Sequence, residues 1–84
     1  MKVMEKKIKN KILSFTVTYE ASDEGGFVAY VPVLPGCRTQ GETLEEAEDN
    51  IKEAISLYLE SLLSHKEKLP RENKIFQGRV EVRV

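Results

Sequence analysis

Residues 26–47 read Gly-Phe-Val-Ala-Tyr-Val-Pro-Val-Leu-Pro-Gly-Cys-Arg-Thr-Gln-Gly-Glu-Thr-Leu-Glu-Glu-Ala, and these 22 residues leave few folds open. Val31 and Leu34 each precede a proline, which drives both toward extended backbone. Gly36 and Gly41 stand where the chain must turn sharply. Thr43 followed three residues later by Glu46 is a capping box, which satisfies orphan amide donors at a helix start. A strand, a two-proline turn, a short second strand, a glycine break and a capped helix therefore follow one another without room for a catalytic loop.

The flanks complete the pattern. From residue 12 to residue 20 the chain alternates, with Leu13, Phe15, Val17 and Tyr19 on one side and Ser14, Thr16, Thr18 and Glu20 on the other, the mark of a half-buried strand. Asp23-Glu24-Gly25-Gly26 is a hairpin turn signal. Residues 27–31 form the return strand, apolar on both faces and hence central or covered by something further. Residues 37–39 give a short third strand. A helix over residues 44–64 gathers Leu44, Ala47, Ile51, Ala54, Ile55, Tyr58 and Leu62 into one stripe, with Glu46, Asp49, Glu53 and Glu60 opposite as an acidic ridge. Leu57 and Leu63 fall outside the stripe; simple exposure and a second contact surface both stay open for them. After a charged loop, Val80, Val82 and Val84 alternate with Arg79, Glu81 and Arg83 and predict a last strand. The expected order is β-β-β-α-β, an α+β domain with one helix on one face of an antiparallel sheet. Residues 1–11 read as a basic N-terminal arm and residues 12–84 as one core domain.

Eighty-four residues bury a modest core, so association would help this chain. The net charge of −1 hides an asymmetry. Residues 1–11 carry five lysines against Glu5, residues 20–60 carry ten acids against Arg38 and Lys52, and residues 61–84 carry six bases against three acids. An acidic middle repels phosphates and suits a basic partner. The chain shows no apolar run long enough for a bilayer and no signal-peptide pattern, and its lone Cys37 excludes an internal disulfide; the expected location is the cytoplasm.

Chemistry-bearing residues are few. Glu45 and Glu46 are accounted for by the helix dipole and the cap. Asp49 and Glu53, at i and i+4, lack a third ligand for a divalent ion. Cys37 has no base beside it and reads as a small core residue, and His65 reads as a helix C-terminal cap. The expectation is a protein without catalysis, cofactor or metal site. The lysines of residues 1–11 lack interleaved aromatic residues or arginines and read as a solvated terminus.

The run Tyr30, Pro32, Leu34, Pro35, Gly36, Cys37, Thr39, Gly41, Thr43, Glu45, Glu46 and Ala47 resembles the signature of the HicB-like antitoxin family, over about residues 15–58. Val33 departs from it, since the family often has an acid there. The resemblance implies a fold related to part of ribonuclease H, yet residues 13–19 and 27–31 hold no acid for two-metal chemistry. It implies a partner, a HicA-like toxin that is small, basic and directed at mRNA, neutralised by direct binding. Many members carry a further DNA-binding module; this sequence shows none, so specific operator binding by this chain alone is not expected. The motif assigns no toxin contacts. From charge, the hairpin tip Asp23 and Glu24 and the ridge residues Glu46, Asp49 and Glu53 are the candidates. A homodimer is expected, with Leu57, Leu63, Val80 and Val82 at its interface, because a terminal strand leaves a free edge. The other reading of the residues is a small ligand- or RNA-binding module without catalysis.

Overall fold

The computed structural model describes residues 12–84. The basic arm expected over residues 1–11 lies outside the described residues. Three strands form first: β1 (Thr18–Ala21), β2 (Phe27–Tyr30) and β3 (Arg38–Gly41). They make an antiparallel sheet in the order β1-β2-β3, with Tyr19 opposite Ala29 and Ala29 opposite Thr39. The helix α1 (Leu44–Ser64) then crosses one face, lying over β3 and β2 and leaving β1 largely uncovered. The α+β class and the helix-on-sheet layering are those expected from the sequence.

The β1–β2 hairpin closes with Ser22 N–H donating to Gly26 O at 2.9 Å, and Ser22 Oγ accepts from Glu24 N–H at 3.2 Å inside the turn. The two-proline segment is two successive turns. Leu34 N–H donates to Val31 O at 3.0 Å, closing a turn with Pro32 at its second position. Cys37 N–H donates to Leu34 O at 2.9 Å, closing another with Pro35 second and Gly36 third at φ +83°, the type II arrangement that favours glycine there. Leu34, shared by both turns, is driven fully into the core. There it joins Ala29, Val31, Cys37, Ala47 and Ile51, with Phe15, Val17, Phe27, Ala54, Ile55 and Tyr58 packed around them. Burying a side chain of this size contributes about 2 kcal/mol.

Gly41 does not break the chain as expected; it ends β3. Its role is close approach, since a Cβ there would lie 2.5 Å from the main-chain nitrogen of Ala47. Helix and strand touch backbone to backbone at this point. Thr43 caps α1, its Oγ1 accepting from Glu46 N–H at 3.0 Å. Glu46 completes the box one residue further out than the standard pattern, with Oε1 accepting from Glu42 N–H at 2.5 Å. At the other end, Glu67 N–H donates to Leu62 O and Lys66 N–H to Leu63 O, a Schellman motif with Lys66 at φ +58°. His65 adds the cap the sequence suggested, its Nδ1 lying 2.7 Å from Ser61 O.

Three expectations need correction. β1 pairs only from Thr18, because β2 turns away at Pro32 and leaves the preceding residues without a strand partner; the N–H of Thr16 donates instead to Glu72 Oε1 at 2.7 Å. Leu44 is half exposed and lies outside the core, since α1 sits off the β1 side of the sheet where Leu44 points. The last strand is absent: after Ser64 the described chain holds no regular element, and Val80, Val82 and Val84 are exposed. Among the described residues this alternating segment pairs with no strand.

Candidate functional site

The hairpin tip, the end of β3 and the start of α1 meet in one groove of about 380 Å³. Glycines bring them together. A Cβ on Gly26 would lie 2.7 Å from Gly41 O, and Gly41 in turn abuts Ala47, so hairpin, strand and helix pack backbone against backbone. Asn50 fixes the helix to the sheet edge, its Nδ2 donating to Gln40 O at 2.8 Å. Around this frame stand the carboxylates of Glu24, Glu42 and Glu46, and among the described residues no lysine, arginine or histidine lines the groove.

The structure thus unites two of the acids singled out in the sequence, Glu24 and Glu46, in one groove. Asp23 is exposed beside Glu24 at the hairpin tip, and Asp49 and Glu53 are exposed on α1 outside the groove lining. Glu46 has a structural duty besides, since one oxygen is taken by the Glu42 amide. Glu42, Gln40 and Asn50 were not singled out. The i, i+4 spacing of Glu46 and Asn50 and the position of Glu42 beside the cap carried the signal for two of them.

The remaining surfaces differ in character. The open face of the sheet carries Tyr30, with the Arg38 guanidinium 5.9 Å from its ring centroid and its hydroxyl donating to Glu20 at 3.3 Å. On the β1 side, an apolar groove of about 500 Å³ runs between residues 13–15 and the flank of α1. Burial pushes the Cys37 thiol above its ordinary range, which keeps it protonated and poor as a nucleophile. Burial, with the charge of Glu48 second, raises the Tyr19 hydroxyl. Among the described residues no group of three or more His, Cys, Asp or Glu could hold a metal ion, and no helix is long and apolar enough to cross a membrane.

The described residues thus form a small helix-on-sheet domain whose conspicuous polar feature is an acidic groove. Comparison with known proteins gives its family. The sequence profile described as HicB_like antitoxin of bacterial toxin-antitoxin system matches residues 15–81, and the chain belongs to that family. It is 52% identical over 61 residues to UPF0150 protein Ta0767 of Thermoplasma acidophilum, covering 73% of this chain and 88% of the relative. It is 46% identical over 65 residues to UPF0150 protein ssr1765 of Synechocystis, covering 77% and 82%. A 14.9 kDa protein of Haemophilus phage HP1 is 50% identical over 52 residues, 62% of this chain and 39% of the phage protein.

Proposed function

We propose that this chain is the antitoxin of a HicA/HicB-like type II system and neutralises a small, basic, mRNA-targeting toxin by covering it in the cytoplasm. The observation that carries the mechanism is the convergence of Glu24, Glu42 and Glu46 on one groove with no base lining it among the described residues, in a family of antitoxins. A toxin that handles RNA presents a basic surface, and an acidic face of fixed shape competes with RNA for it. Steering between opposite charges speeds the encounter and weakens as salt rises. Asp23, Asp49 and Glu53 extend the same field to either side. No covalent step is involved: the antitoxin works by occupancy, as a homodimer.

The exposed side of α1 presents Glu46, Asp49, Glu53 and Glu60, where a DNA-reading helix would present arginine, lysine, asparagine or glutamine. Specific operator binding by this chain alone is therefore not part of the function. A gel shift with its own promoter at about 150 mM salt tests this, and sequence-specific retardation would refute it.

The main test is co-expression with a small, basic HicA-like toxin. The wild-type chain restores growth, and a Glu24→Lys/Glu42→Lys variant of unchanged helix content does not. Full rescue by that variant would remove the acidic groove from the mechanism.

A further inference from the structure

Two incomplete surfaces in this chain match each other. The first is the outer edge of β1 and the groove beside it. Ser22 N–H bonds Gly26 O and the pairing runs in register from there, so Glu20 and Thr18 direct their main-chain groups toward β2. By alternation those of Val17, Tyr19 and Ala21 face outward. Tyr19 pairs with Ala29, whose side chain lies in the core under α1, so Tyr19 points to the helix side of the sheet, where it is 36% exposed. On the same side the groove of about 500 Å³ leaves Phe15, Ile55 and Leu59 half-buried and Leu63 exposed, and among the described residues no strand lies over it, α1 being displaced over β3.

The second surface is the segment of residues 78–84. Its valines share one side of an extended chain and Arg79, Glu81 and Arg83 share the other, a net charge of +1. Val80 and Val82 are 87% and 80% exposed. The chain's own β1 does not pair with this segment. Glu72 bonds Thr16 and the Gln77 amide donates to Thr18 Oγ1 at 3.2 Å, so the side chains of residues 72 and 77 are tied beside the start of β1. Beyond Thr18 only Tyr19, Glu20 and Ala21 remain before the turn, about 10 Å of edge, against about 23 Å for seven extended residues. Most of the segment overhangs the hairpin.

We propose that residues 79–84 of one copy add as a strand to the outer edge of β1 in a second copy, reciprocally, with Val80 and Val82 closing the groove beside Phe15 and Leu59. Alternation then turns Arg79, Glu81 and Arg83 to the open face of the sheet, the side on which Glu20 stands, so a face of net positive charge meets an acid. The exchange removes two exposed edges at once and places the acidic grooves on a twofold particle.

Light scattering on the full chain at tens of micromolar is expected to give twice 9.6 kDa, and a Val80→Asp/Val82→Asp variant to give 9.6 kDa with unchanged helix content. In a Cys37→Ala background, a Val82→Cys chain mixed with a Tyr19→Cys chain is expected to form a covalent heterodimer on mild oxidation, in excess of either homodimer. A monomeric wild-type chain overturns the proposal. So does a dimer that survives the double aspartate variant, or cross-linking no greater than that of a Val82→Cys chain mixed with a Leu57→Cys chain.

Discussion

Residues 26–47 and residues 65–84 carry equally regular patterns and meet opposite fates. In the first segment each local preference is answered by a neighbour: Pro35 and Gly36 set a type II turn, the turn delivers Leu34 to the core, and Gly41 lets α1 touch β3. In the second, the cap at Lys66 and Glu67 forms, and the alternating valines that follow stay exposed and pair with no strand among the described residues. Periodicity states a conformational preference; burial needs a matching surface within reach.

The comparison breaks most easily in the first segment. Leu34→Ala removes a fully buried side chain held between two turns, and the fold should lose about 2–5 kcal/mol in urea denaturation. For a domain this small that is most of its stability. A loss within experimental error would mean that the double turn, and not its apolar plug, organises the core. Gly41→Ala should cost about 1–3 kcal/mol, because the added methyl meets Ala47 backbone at 2.5 Å, whereas Gly78→Ala, with nothing within 4 Å, should change little. Equal effects at the two glycines would erase the distinction between the regions.

Smaller changes sharpen it. Thr43→Ala deletes the cap to Glu46 and should lower stability by about 1 kcal/mol. Lys66→Gly relieves a left-handed residue and should raise it by about 0.5–1 kcal/mol. A pH series adds a last, slight effect. Burial raises the Cys37 thiol above its ordinary value of 9.0, so the unfolded chain releases that proton first. Its contribution is complete below pH 9 and is lost as pH rises through the folded value; a Cys37→Ala variant should show a flatter decline there.

Most of the architecture is legible in the sequence because local chemistry dictates it. The hairpin, the double turn, the cap and the core face of α1 each rest on residues within a few positions of one another. Thr39 and Gly41 show the limit: the short third strand runs to Gly41, since its length is decided by pairing with Phe27 across the sheet. Leu44 lies in the helical stripe yet is exposed, because periodicity gives the direction of a face and not how far the sheet extends beneath it. Of the site, the acids are visible in the sequence, but their grouping is not. Glu24 and Glu46 are 22 positions apart and share a groove only because Gly26 and Gly41 permit the backbones to touch.

Calorimetric titration of the toxin with the wild-type chain and with a Glu24→Lys/Glu42→Lys variant, each at two salt concentrations, addresses the acidic groove most directly. The account predicts tight wild-type binding that weakens with salt, and a variant at least about tenfold weaker with a smaller salt dependence. Equal affinity for the two proteins at both salt concentrations would contradict it.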